Sequence, residues 1–148
     1  MKDLIYLDNQ ATTPIDPAVL SAMLPYFRDK FGNAASVHHA YGREGKEAVE
    51  NSRRLLAECI KGQPRDIIFT SGATESINLA IKGVCKKYNS KGRHIITQKT
   101  EHKAVLDTCA SIEKAGWSVT YLPVDSDGLV SPESVLNAIE KDTVMVSI

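Results

Sequence analysis

Residues 67–88 read IIFTSGATESINLAIKGVCKKY, and this stretch decides the fold class. Ile67-Ile68-Phe69 is a β-branched and aromatic run of strand type that ends at Thr70-Ser71-Gly72. After Ile77, apolar residues recur at Ala80, Ile81, Val84, Cys85 and Tyr88, which share one face of an α-helix. A strand that turns through small residues into an amphipathic helix is the opening of a βαβ unit.

Reading outward, the alternation continues. Gly92 breaks the helix, and His94-Ile95-Ile96-Thr97 is the next strand. Val105, Leu106, Cys109 and Ile112 form a second helical stripe that Gly116 closes. Ser118 to Leu122 is a third strand, and Asp127-Gly128 is a turn. Ser131 caps a helix opened by Pro132, and Thr143 to Ile148 is a fourth strand. This pattern predicts an α/β fold with a mostly parallel sheet over residues 63–148. Residues 1–62 are predicted to be helical. Asp16 and Pro17 open one helix with Val19, Leu20, Met23, Leu24 and Phe27 on its apolar face. A second, highly charged helix runs from about Tyr41 to Ile60. The run Val144 to Ile148 reads as a buried strand with no loop after it, so the chain is expected to be a truncated part of a larger domain.

Composition narrows the function classes. The chain has 148 residues, 43% hydrophobic and 24% charged, which is ordinary for one globular domain. Eighteen basic and eighteen acidic residues cancel, so no electrostatic footprint for nucleic acid is expected. No apolar run reaches the roughly 20 residues of a membrane helix, and MKDLIYLD has no signal-peptide character. A cytoplasmic location follows as an expectation, or the mitochondrial matrix for a processed eukaryotic protein. Cys59, Cys85 and Cys109 form no CxxC pair and are expected to be buried free thiols on helices.

Two places can carry chemistry. The turn Thr70-Ser71-Gly72-Ala73-Thr74-Glu75 brings small residues to a helix N-terminus, where backbone N–H groups and the helix dipole favour an anion such as phosphate. The same residues also suit a plain Ser-capped turn. The turn has neither GxGxxG nor GxxxxGK[ST], so dinucleotide and P-loop readings are unsupported. His102 follows the second strand. With Thr100 as N-cap it would sit in the first helical turn, where the dipole favours a neutral ring that can accept a proton or stack on an aromatic cofactor. A surface or capping histidine remains the alternative. His38 and His39 are adjacent and diverge, so no metal ligation is expected.

Three stretches together go beyond local chemistry: YLDNQATTP at 6–14, FTSGATESINLAIKG at 69–83 and HIITQKTEHKAVLDTC at 94–109. In this order and spacing they closely resemble the N-terminal part of cysteine desulfurases of the NifS/IscS type, which belong to the class-V aminotransferase superfamily. The resemblance extends through GWSVTYLPVDSDGLV at 116–130. It implies the type I pyridoxal-phosphate-dependent transferase fold and a homodimer when full length. It also implies conversion of L-cysteine to L-alanine, with persulfide sulfur passed to iron–sulfur scaffolds or other acceptor proteins. By the same resemblance Gly72, Ala73 and Thr74 bind the cofactor phosphate, and His102 stacks on the pyridine ring and assists proton transfer. Ala34 stands where the family loop has proline, and Val37 where many members have arginine. The family's Schiff-base lysine, the Asp partner of the pyridine nitrogen and the persulfide cysteine have no counterpart in these 148 residues. The chain alone is therefore expected to be inactive. A selenocysteine lyase or aminotransferase of the same class, or a non-catalytic remnant, remain alternatives.

Overall fold

The computed structural model describes residues 4–148; the Met1 to Asp3 part of the N-terminal reading lies outside them. Two compact units divide the chain between Ile68 and Phe69.

The first unit is helical. Helix α1 spans Pro17–Arg28, and Asp16 caps it by accepting from the N–H groups of Ala18 and Val19 at 2.8 and 3.3 Å. Its apolar residues are exposed, with Phe27 at 70%. Helix α2 spans Ala40–Cys59 and is capped by His39, whose Nδ1 accepts from the Gly42 N–H at 3.2 Å. The loop at 32–36 lies directly against this helix. A Cβ at Gly42 would stand 1.9 Å from the Ser36 carbonyl oxygen, and one at Gly45 would stand 2.3 Å from that of Gly32. Glycine is thus required where backbone meets backbone. Asn33 shapes the loop by accepting from the Ala35 N–H at 2.9 Å. Phe31 stacks on Tyr41, and Lys30 pairs with Glu44 at 3.0 Å.

The strand expected at Ile67-Ile68-Phe69 does not form. Pro64–Asp66 make a single 3-10 turn, and the chain leaves it extended at Ile67. The Ile67 carbonyl, which a ladder would use, accepts instead from the Arg53 guanidinium of α2. Ile68 remains 67% exposed. An apolar run becomes a strand only where a neighbouring strand supplies hydrogen bonds, and among the described residues the sheet pairs only His94–Gln98 with Ser118–Leu122 and Thr143–Val146.

The second unit is the α/β part. Helix α3 spans Ala73–Tyr88, strand β1 His94–Gln98, helix α4 Lys103–Glu113, strand β2 Ser118–Leu122, helix α5 Pro132–Ala138 and strand β3 Thr143–Val146. The three strands form a parallel sheet in the order β2-β1-β3. Central strand β1 is buried along His94 to Thr97, as expected of a parallel strand covered on both faces. Its register with β2 runs from His94–Ser118 to Gln98–Leu122, and one irregularity interrupts its pairing with β3 after His94. Ile81 and Cys85 of α3, Ile95 of β1, and Val105, Cys109 and Ile112 of α4 form the core. Burying each large aliphatic side chain of this set contributes about 1.5–3 kcal/mol. The periodicity of α3 and α4 in the sequence is therefore the stripe that meets the sheet.

His94 ties the strands together at the start of the sheet. Its ring is fully buried, with Nδ1 2.7 Å from the Thr143 hydroxyl of β3 and Nε2 2.9 Å from the Thr120 hydroxyl of β2. Both nitrogens are satisfied without a charged partner. One ring nitrogen also lies within 4.8 Å of carboxylate oxygens of Glu140 and Asp142, both exposed.

Candidate functional site

Helix α3 leads into β1, and β1 leads into α4, each through a short connection. In such an alternation the helices run against the strands, so their N-termini gather where the strands end. The two candidate segments, the turn before α3 and the residues before α4, thus belong to the carboxyl end of the sheet.

The turn before α3 is held by its own side chains. Gly72, not Ser71, is the N-cap, and it offers no side-chain cap. Ser71 turns the other way: its N–H and its hydroxyl both donate to Oε2 of Glu75, at 2.6 and 2.7 Å. These bonds hold the Glu75 carboxyl below its ordinary value, the backbone donor contributing most. Thr70 Oγ1 lies 2.6 Å from Ser76 Oγ, and both hydroxyls lie within 3.3 Å of the Gly72 carbonyl oxygen. The Ser76 N–H closes the first helical bond to that carbonyl at 3.1 Å. Beside Gly72 the space is open, with nothing within 4 Å of where a Cβ would stand. Ala73 and Thr74 are exposed. Their N–H groups belong to the first helical turn, which has no intrahelical acceptor for them. Open space, small residues and first-turn N–H groups at the positive end of a 16-residue helix suit a phosphate dianion.

His102 is itself the N-cap of α4, one position outside the helix and two residues beyond the expected Thr100 cap. Its Nδ1 accepts from the Ala104 N–H at 3.1 Å. That bond anchors the ring and leaves Nε2 as the nitrogen that carries or exchanges a proton. The ring is exposed, so it remains accessible to a ligand.

The cysteines separate. Cys85 and Cys109 are buried, but Cys59 is exposed at the end of α2, against the expectation of three buried thiols. Burial raises the Cys85 thiol, and burial with help from Glu113 pushes Cys109 up to about 11. Neither buried thiol is disposed to be a thiolate near neutral pH. The clamp of Ser71 by Glu75 is not among the features expected from the sequence. The signal was present as a glutamate three residues after the capping glycine, the spacing of a capping box.

The Aminotransferase class-V family model matches residues 5–148. The cysteine desulfurase IscS of Rickettsia massiliae (strain Mtu5) is 53% identical over 144 residues, covering 97% of this chain and 35% of the relative. That of Anaeromyxobacter sp. (strain Fw109-5) is 51% identical over 148 residues, covering the whole chain and 37% of the relative. The chain therefore spans about a third of the length of these curated relatives. Among solved structures, a NifS-like protein superposes with a TM-score of 0.87 at 40% identity, covering 93% of this chain and 38% of that one. SspA in complex with cysteine gives 0.84 at 39% identity, covering 92% and 39%. The fold is a portion of the type I pyridoxal-phosphate-dependent transferase fold. With a family model that runs through both the turn before α3 and the cap of α4, the chain belongs to the class-V aminotransferase family.

Proposed function

We propose that these residues form the N-terminal part of a pyridoxal-phosphate-dependent cysteine desulfurase. The observation that carries this is identity above 50% to cysteine desulfurases along essentially the whole chain. In this reading the N–H groups of Ala73 and Thr74 and the Thr74 hydroxyl bind the cofactor phosphate, and Gly72 lets it approach. His102 would hold the pyridine ring, and its Nε2 would be the nitrogen that takes or gives a proton, its Nδ1 being held by the Ala104 N–H. When bound, pyridoxal phosphate supplies an electron sink for bonds at the substrate α-carbon. The substrate is L-cysteine, the product L-alanine, and the sulfur acceptors are iron–sulfur scaffold or other carrier proteins. The working enzyme is a homodimer in the cytoplasm. Among the described residues no helix is long and apolar enough to cross a membrane.

The lysine that anchors the cofactor and the cysteine that carries persulfide are not supplied by the 148 residues. Cys109, with its raised thiol, is unsuited to the second role. The test is alanine release from L-cysteine by the intact gene product and by the 148 residues alone, each with added pyridoxal phosphate. Release by the first only is expected. Release by the second above a cofactor-only control would overturn the division of labour, and none by either would overturn the desulfurase reading.

A further inference from the structure

We propose that Glu75 is a positioning residue for the phosphate site, acting through Ser71; the proposal rests on the reading of that site given above. A carboxylate beside an anion site is at first sight a defect, because like charges repel. Its geometry suggests the opposite. A single oxygen, Oε2, accepts both the Ser71 N–H at 2.6 Å and the Ser71 hydroxyl at 2.7 Å. Hydrogen bonds to a carboxylate are short and about twice as strong as neutral ones. They tie the residue before the cap to the first turn of α3 and fix the peptide that leads into Gly72.

Gly72 needs that restraint. It is the most conformationally free residue in the turn, it has no side-chain cap, and nothing stands within 4 Å of its missing Cβ. Packing does not hold it. What holds it is a pair of hydrogen-bonded links on either side: Ser71 to Glu75, and Thr70 with Ser76 around the Gly72 carbonyl. The Ser71 donors are also consumed by this arrangement. The donors left to face an anion are then the N–H groups at the start of α3, those of Ala73 and Thr74 among them, in one fixed orientation. The negative charge of Glu75 weakens phosphate binding through space, and its hydrogen bonds strengthen it through preorganisation. The proposal is that the second effect is larger.

The two effects have opposite signs, which makes the test sharp. In the intact protein, the dissociation constants of pyridoxal phosphate and of pyridoxal, which lacks the phosphate, are measured by absorbance titration for wild type, Glu75→Ala and Glu75→Gln. The alanine removes charge and clamp together; the glutamine removes the charge but keeps an oxygen that accepts from Ser71. Glu75→Ala is expected to bind pyridoxal phosphate about tenfold more weakly, with pyridoxal unchanged. Glu75→Gln is expected to bind it as tightly as wild type or more tightly. If both variants bind it equally well or better than wild type, Glu75 is only a repelling charge and the proposal fails. It also fails if pyridoxal weakens in parallel, because the effect is then general destabilisation. Where Glu75→Ala does not fold, Ser71→Ala, which deletes one of the two bonds, replaces it. A weakening of a few-fold, confined to the phosphate form, is expected, and no change overturns the proposal. Wild type that binds pyridoxal and pyridoxal phosphate equally would instead reject the phosphate-site reading itself.

Discussion

At the residue scale, environment separates groups of the same chemical type. His39, His94 and His102 are a helix cap, a buried tie between strands and a cap exposed at the candidate site. His39 and His102 are both exposed with Nδ1 held by a backbone N–H, and what separates them is place: His102 stands at the start of α4, after the sheet's central strand. Cys109 and Tyr121 show the same dependence on surroundings. Burial, and Glu113 nearby, push the Cys109 thiol up to about 11 from 9.0 and the Tyr121 phenol up to about 12 from 10.0. Tyr121 also donates to Glu113 at 3.0 Å. The neutral forms are favoured in the folded state, so their contribution is complete below pH 9 and is lost as pH rises through 9–12. The unfolded chain releases these protons earlier than the folded one. Thermal melts should show the melting temperature falling from pH 9 to 11, with a shallower fall in Cys109→Ala. Equal slopes for the two proteins would show that Cys109 does not contribute.

At the scale of elements, the glycines divide by what surrounds them. Gly42→Ala places a methyl 1.9 Å from the Ser36 carbonyl oxygen, so loop 32–36 must move off α2. A loss of about 1–3 kcal/mol is expected in denaturant unfolding. Gly83→Ala is the control. It lies inside α3 with nothing within 4 Å, and the higher helix propensity of alanine should stabilise by up to about 1 kcal/mol. If both variants shift stability in the same direction, close approach at α2 is not what selects its glycine. Much of this level could be read from the sequence. The stripes Ile77–Tyr88 and Val105–Ile112 gave α3 and α4, and Ser131-Pro132 marked the start of α5. Other features could not be read. Whether Ile67–Phe69 becomes a strand depends on a neighbouring strand to pair with, which local sequence does not reveal; the Ile67 carbonyl accepts from Arg53 instead. Whether Thr100 or His102 caps α4 depends on which side chain reaches a free N–H, since both types can accept. The exposure of Cys59 depends on α2 ending beside solvent, which periodicity alone does not reveal.

At the scale of the whole molecule, what the sequence made legible of the candidate site was its location. The small-residue turn at 70–75 and His102 stand where a helix begins, and the parallel order β2-β1-β3 places such positions at one end of the sheet. Of the fastening of that turn, the Glu75 clamp has a signal in its spacing from Gly72, whereas the contact of Thr70 with Ser76 has none, because it depends on the rotamers that the two hydroxyls adopt. The central claim is that the start of α3 receives the phosphate of pyridoxal phosphate. Its most direct test is the affinity of the intact protein for pyridoxal phosphate and for pyridoxal, in wild type and in Thr74→Val, which keeps the N–H and the side-chain shape but loses the hydroxyl. Expected is about tenfold weaker binding of the phosphate form alone, the size of one lost charge-assisted hydrogen bond. Unchanged binding of pyridoxal phosphate by Thr74→Val, or an equal loss for pyridoxal, would contradict it.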